Sequence, residues 1–380
     1  MKKYLIYILL FMQPVIDIFA SFQIRYFNNI PSISAIIRLA ILLVMVLYIL
    51  FKKNKKDYIL LLITFIFFII SAIHFHSISA VLNVVKILFL PISILFFVRY
   101  DKDINKNMIV YVYVTYLLIV IVPTLLGLNF NVYAPDEAKK ASLGLFYGGN
   151  ELSAILLGYL PIVLVYSKEY KLYERIILYI LILLSFTFIG TKTLFLGAIL
   201  VLLIMFIYKI INKSIKLNKY AIVITIGIII VGAVILPFTP IAKNLKITLD
   251  YYDIHSIKDV NISTIDNVIY SKRLTYASNL MDDYGKQDLR HRLLGVGTIT
   301  IKDSEIDIID MIYVIGIVGI IFYLLVMIFI VKDNKLHNVY LLSFILFILM
   351  SCFSGHIFMK PNVLIYIGLL FNLNNKIKDR

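Results

Sequence analysis

One cysteine, Cys352, stands in a chain of 380 residues, which excludes an internal disulfide framework. It lies in an apolar run, where a small buried thiol is the expected role. The six histidines are scattered, and Cys/His spacings of the metal-binding kind are missing. No internal repeat and no low-complexity tract is visible. Charge is scarce too: 16% of residues are charged against 61% hydrophobic, with a mean hydropathy of +0.94. A soluble domain is nearer half apolar, so this composition excludes a single soluble core and defines an integral membrane protein. The net charge of +15 does not point to nucleic acid, because the basic surplus sits in short loops between apolar runs. The N-terminal stretch "MKKYLIYILLFMQPVIDIFASF" has a basic start and an apolar run but lacks a small-residue cleavage site, so it reads as an uncleaved first span.

A helix needs roughly 20 apolar residues to cross the hydrocarbon. Twelve segments qualify: 4–21, 32–51, 58–76, 79–98, 108–128, 150–167, 175–189, 192–210, 220–236, 309–331, 338–354 and 361–373, the seventh and last being short. The expected class is an all-α polytopic membrane protein. Its organisation is nine spans over residues 1–236, an extracytoplasmic loop over 237–308 and three spans over 309–380. Basic residues set the direction. Alternate segments, from Lys2 and Lys3 to Lys376, Lys378 and Arg380, hold most of them, while the short segments on the other side hold only Arg25, Lys139, Lys140, Lys192 and Lys360. This positive-inside pattern puts both termini in the cytoplasm. The loop of about 70 residues is far longer than an ordinary connection. Within it, "TIDNVIYSKRLTYASNLMDDYG" places Val268, Ile269, Leu274, Ala277, Leu280 and Met281 at helical spacing, with Gly285 as a stop, and predicts an amphipathic helix.

The odd polar residues share a level. Lys86, in "NVVKILFLPISIL", lies roughly 10 Å into span four from the outer side, at 1.5 Å per residue. Arg38 lies at a similar depth in span two, and Asp17 in the outer part of span one. Asn150 and Glu151 open span six, Lys192 opens span eight, and Asp303, Glu305, Asp307 and Asp310 lead into span ten. Charges within a membrane face a cavity or a partner, and a shared outer level suits a substrate held at the outer headgroups. Simpler readings stand beside this one. Lys86 and Arg38 reach the headgroups by snorkelling, or pair with Asp17. Lys192 anchors to lipid phosphate. Asn150 caps its helix, and Ser304 with Asp307 forms a capping box. Asp303, Glu305 and Asp307 have a metal-compatible spacing but no further ligands.

Several stretches, in order, resemble the O-antigen polymerase and O-antigen ligase superfamily. "ASLGLFYGGNELSAILLGYLPI" resembles its Gly-to-Asn entry to a middle span, and "SFTFIGTKTLFLGAIL" its small–Ser/Thr–basic turn. A large outer loop carries Arg273 in "YSKRLTYASNL". "HRLLGVGTITIKDSEIDIIDMIYVIGIVGII" is similar to its Gly-x-Gly, acid or His, then Gly-x-x-Gly run. The likeness covers roughly residues 140–330. It implies a GT-C-like, metal-independent, inverting glycosyltransferase without cofactor, in the cytoplasmic membrane of a bacterium. Its substrates would be polyprenyl-diphosphate-linked oligosaccharides in membrane lipid, destined for a capsule, exopolysaccharide or O-antigen. A flippase and a chain-length regulator of the same pathway are further candidate partners. Carried over by position, Lys192 and Arg273 would hold the diphosphate. Glu305 stands where ligases carry a His, which favours a polymerase.

Polymerisation requires preplaced cations for the departing diphosphate and a base for the acceptor hydroxyl. Lys192, Arg273, Arg38 and Lys86 are the cation candidates, with Arg290 and Arg292 behind them. Glu305 is the first candidate base, then Asp307, then His291. Asn150 and Glu151 are candidates for substrate binding, and Tyr251, Tyr252, Tyr270 and Tyr276 for stacking on sugars. A ligase, a lipid-oligosaccharide flippase or other transporter, and a non-enzymatic scaffold are the alternatives. The flippase would need polar residues through the full depth of the bundle, whereas the inner halves look apolar.

Overall fold

Backbone amides have no water to bond within lipid, so apolar runs of bilayer length close their hydrogen bonds as helices. The computed structural model describes residues 2–27, 33–100, 104–131, 141–211, 240–251, 264 and 266–378. Fourteen α-helices are present among them. They are α1 (Lys2–Tyr26), α2 (Ile33–Phe51), α3 (Lys55–Phe75), α4 (Ile78–Arg99), α5 (Lys106–Leu125), α6 (Gly149–Tyr166), α7 (Leu172–Ile189), α8 (Lys192–Ile211), α9 (Pro240–Tyr251), α10 (Arg273–Lys286), α11 (Leu289–Leu294), α12 (Asp307–Asp333), α13 (Asn338–Phe353) and α14 (Pro361–Lys378). The described residues contain no β-strand beyond an isolated bridge between Asn131 and Ser142. Eight helices, α1 to α7 and α12, are long and apolar enough to cross a membrane, and α8, α13 and α14 are shorter apolar helices. These are eleven of the twelve expected spans. The ninth, 220–236, lies outside the described residues, as do Lys139, Lys140 and Tyr252.

The chain divides into two compact units, one of residues 1–108 with 272–380 and the other of residues 109–271. In the first, α4 and α14 form the axis. Every residue of α4 from Ile87 to Phe97 is buried. Gly368 of α14 sits against Ser93, where an added Cβ would fall 2.2 Å from the Ser93 hydroxyl, and that hydroxyl donates to the Leu364 carbonyl at 3.1 Å. Small residues allow this approach and a polar one joins the helices, the usual means of association in lipid. At one end of this unit Asp57 of α3, 1% exposed, accepts two hydrogen bonds from Arg99 of α4 at 2.5 and 2.9 Å. Asp57→Ala is expected to lower stability by about 2 kcal/mol, the scale of charge-assisted hydrogen bonds, read as a lower midpoint of thermal unfolding in detergent.

The long helix α12 is broken. Gly316 has φ 69° and ψ 177°, so the helical ladder stops there and restarts. The carbonyls this frees are used. Val296 N–H donates to Tyr313 O at 2.9 Å, and Gly297 N–H to Val314 O at 3.0 Å. The glycine run shared by the loop and this span is thus a backbone-to-backbone dock. A Cβ on Gly316 would lie 2.4 Å from Gly295 N and Leu293 O.

The amphipathic helix of the loop differs from expectation. A single π turn over Asp266–Tyr270 is followed by Ser271 and Lys272 with φ 54° and 66°, and α10 starts only at Arg273. Its buried face is Arg273, Ala277, Leu280 and Tyr284, while Leu274 and Met281 are exposed. The left-handed pair resets the phase, so the apolar face follows Arg273 rather than Leu274. Gly285 does not end α10, which continues to Lys286. Cys352 is exposed on the surface of α13 rather than buried.

The second unit holds most of α5, α6 to α8 and α9. Gly190, with φ 60°, caps α7, and Thr191 leads into α8 with its hydroxyl 3.0 Å from that of Ser153 on α6. Gly197 of α8 packs on Leu157 of α6, with room for no Cβ.

Candidate functional site

In the first unit, hydrogen bonds gather several chain segments at one end. His74, near the end of α3, bonds through Nε2 to Gly295 O at 3.0 Å. Asn83, near the start of α4, donates to Gly297 O at 3.0 Å. The start of α12 and the turn between α13 and α14 meet at the same end. Asp307, fully buried, accepts from the backbone N–H groups of Ile357 and Phe358 at 2.7 and 2.9 Å. Close approach of the two loops needs a glycine. Gly355 has φ 70°, and a Cβ there would lie 2.1 Å from Glu305 O.

This junction concentrates charge. Arg273, the first residue of α10 and only 9% exposed, donates through Nε (2.9 Å) and Nη2 (2.5 Å) to Glu305 Oε2 and through Nη1 to the Phe353 carbonyl. Asp310 is fully buried. Its Oδ1 accepts from Ser304 N–H at 2.9 Å and from the Ser304 hydroxyl at 2.7 Å. Its Oδ2 has no hydrogen-bond partner among the described residues and lies 3.8 Å from His356 Nδ1. The other nitrogen of His356, Nε2, is 3.0 Å from Asp303 Oδ2. Burial opposes a charge on His356, but the hydrogen bond and charge of Asp303, with Asp310 behind, raise its affinity for a proton above the ordinary imidazole value even against Lys360. The His356 hydrogen bond in turn holds the Asp303 carboxyl below the usual range, in spite of partial burial.

The expected residues do not all come together. Arg273, Glu305, Asp307 and Asp310 come together as described. Ser304 and Asp307 do not form a capping box. Ile306 is the N-cap of α12, Ser304 turns to Asp310, and Asp307 ties the two loops. Lys86 donates to Asn83 at 3.0 Å and lies within electrostatic range of Lys360, which acts on His356 and Asp303 in turn. Arg38 forms an ion pair with Asp17, whose other oxygen accepts from Asn362 at 3.2 Å. That is the pairing set beside snorkelling and diphosphate binding as a reading for Arg38. His291 pairs with Asp288 at 2.7 Å and packs on His74, with ring centroids 5.2 Å apart. Arg292 gives its carbonyl to the Tyr284 hydroxyl. Lys192, Asn150 and Glu151 belong to the second unit, at the starts of α8 and α6. Asn150 is not the N-cap of α6. Gly148 is, with the Glu151 carboxylate folded against it. Of the candidate sugar-stacking tyrosines, Tyr276 carries Lys302 Nζ over its ring at 4.2 Å, and Tyr251 is exposed.

His356 is the member that sequence reasoning missed. It lies in "SGHIFMK", a short turn on the same side as residues 303–310, and that shared side was the available signal. Ligand atoms of Asp303, Glu305 and His356 lie within 4.8 Å of one another. They also take part in a hydrogen-bonded charge network. Two guanidinium N–H groups already occupy Glu305 Oε2, and the imidazole occupies Asp303. Asp307, the third acid of the D-x-E-x-D spacing, turns away to the backbone.

The described residues thus form an all-helical polytopic membrane protein in which a buried arginine is set among carboxylates and an imidazole. More particularly, the chain belongs to the family described as O-antigen ligase like membrane protein, whose sequence model matches residues 1–262, more than half of its length. Arg273, Glu305 and the glycine run of α12 lie beyond that match. No curated protein matches the sequence.

Proposed function

We propose that this protein is a membrane glycosyltransferase that polymerises polyprenyl-diphosphate-linked oligosaccharides at the outer face of a bacterial cytoplasmic membrane, with both termini inside. The family supplies the class, a membrane protein of lipid-linked glycan transfer. The observation that carries the reading is Arg273. A buried guanidinium fork at the edge of a junction of acids and an imidazole offers charge to a departing diphosphate and proton acceptors to an attacking hydroxyl, in one place. Lys360 and Lys86 extend the positive charge along the same end of the unit. Lys192, at the head of α8, is a further candidate for diphosphate, and Asn150 and Glu151 for substrate.

The ligase reading differs only in the acceptor. Glu305, at the position where the resemblance puts a ligase His, favours polymerase. Deletion of the gene tests the proposal through the surface polysaccharide. Long chains are expected to disappear while a lipid-linked single repeat unit accumulates. A deletion strain with normal long chains would refute it, and one with normal chains lacking attachment to their acceptor would indicate a ligase.

A further inference from the structure

We propose that His356, presented by the turn between α13 and α14, is the proton acceptor for the attacking sugar hydroxyl, oriented by Asp310 from inside and screened by Asp303 from outside. The inference rests on the glycosyltransferase reading above and assigns its base to a different residue from the acid that sequence position suggests. Glu305 is poorly placed for the task, because Arg273 puts two N–H donors on its Oε2. That carboxylate is committed to the ion pair that fixes the guanidinium. Asp307 is also occupied, by the Ile357 and Phe358 amides.

His356 has what these lack. Its Nδ1 lies 3.8 Å from the buried Asp310 Oδ2, beyond hydrogen-bond length but within reach of its charge. The other nitrogen, Nε2, meets Asp303, whose side chain is 42% exposed and free to give way. With Asp303 displaced by the acceptor hydroxyl, the charge of Asp310 favours the tautomer with its proton on Nδ1 and its lone pair on Nε2. In the reaction, the acceptor oxygen bonds to the anomeric carbon and the bond from that carbon to the diphosphate oxygen breaks. The electron pair leaves on the polyprenyl diphosphate beside Arg273, and the hydroxyl proton passes to His356 Nε2. Among the described residues, the charged groups around this imidazole are Asp303 and Glu305 from the preceding loop, Asp307 and Asp310 from α12, Lys360 from its own turn and, through its pair with Glu305, Arg273 from α10. Their balance favours the protonated ring, so the rate is expected to rise with pH through a midpoint above the ordinary imidazole value of 6.5.

The test uses the full-length protein in nanodiscs, with the lipid-linked repeat unit extracted from the deletion strain as substrate. His356→Gln is expected to reduce polymer formation by about 100-fold or more, the scale of general-base loss. Asp303→Asn, which removes the carboxylate that favours the imidazolium, is expected to move the pH midpoint of kcat/KM downward. A His356→Gln protein of wild-type rate overturns the assignment, as does an Asp303→Asn profile with an unmoved midpoint. If His356→Gln fails to fold, the Asp303→Asn profile decides alone. The underlying reading fails separately, through a deletion strain that accumulates no such unit.

Discussion

Arg273→Ala is expected to lower the rate of polymer formation by roughly 100- to 1,000-fold, the range found when one preplaced donor to a developing charge is removed. The mutation takes away the guanidinium held by Glu305 and the Phe353 carbonyl. Those acceptors are then left beside Asp303, Asp307 and Asp310, which adds a local excess of negative charge where an anion must bind. Arg273→Lys separates charge from geometry. It keeps one positive charge but cannot span Glu305 Oε2 and the Phe353 carbonyl with a planar fork, so recovery is expected to be partial. The measurement is the chain-length distribution of surface polysaccharide in cells, with membrane abundance of each variant checked by immunoblot. A wild-type distribution from Arg273→Ala at normal abundance would remove the arginine from the mechanism.

Gly316→Ala is expected to prevent accumulation of folded protein. Its backbone, at φ 69° and ψ 177°, lies where essentially only glycine is found, and a side chain there costs about 1–3 kcal/mol. The new methyl would also press on Gly295 N and Leu293 O at 2.4 Å, both backbone atoms that cannot rotate aside. Separating them breaks the bonds from Val296 and Gly297 to the carbonyls of Tyr313 and Val314. Buried, unpaired backbone groups at that depth cost several kcal/mol in all. The sum approaches the whole stability of a typical domain, about 5–15 kcal/mol. Gly285→Ala is the control, since nothing lies within 4 Å of a Cβ there. Detergent-solubilised yield and monodispersity should fall for Gly316→Ala and stay normal for Gly285→Ala.

The spans were legible because bilayer thickness imposes one length and one composition on all of them, and even the short seventh and last segments appear as α7 and α14. The glycine run was legible as a motif. Its physical meaning was not, because it depends on two segments about twenty residues apart trading hydrogen bonds across a broken helix. Arg273 could be singled out by its place in the large loop. That it caps a buried face could not, since two left-handed residues, Ser271 and Lys272, shift the helical phase and no sequence pattern marks them. His356 was out of reach for another reason. It lies about fifty residues from Asp303 and Glu305, and the packing of Gly355 against the Glu305 carbonyl, with the Ile357 and Phe358 amides on Asp307, brings it to them. The roles of Asp310 and Ser304 were hidden likewise, because a carboxylate three residues into a helix reads as a dipole partner until its bonds are seen.

The pair between Asp17 and Arg38 has a meaning for biogenesis. Each charge alone would oppose partition of its segment from the translocation channel into lipid. Joined across α1 and α2, with Asn362 of α14 also on Asp17, they present the lipid with one neutral dipole in place of two isolated charges, and that opposition is eased for both helices at once.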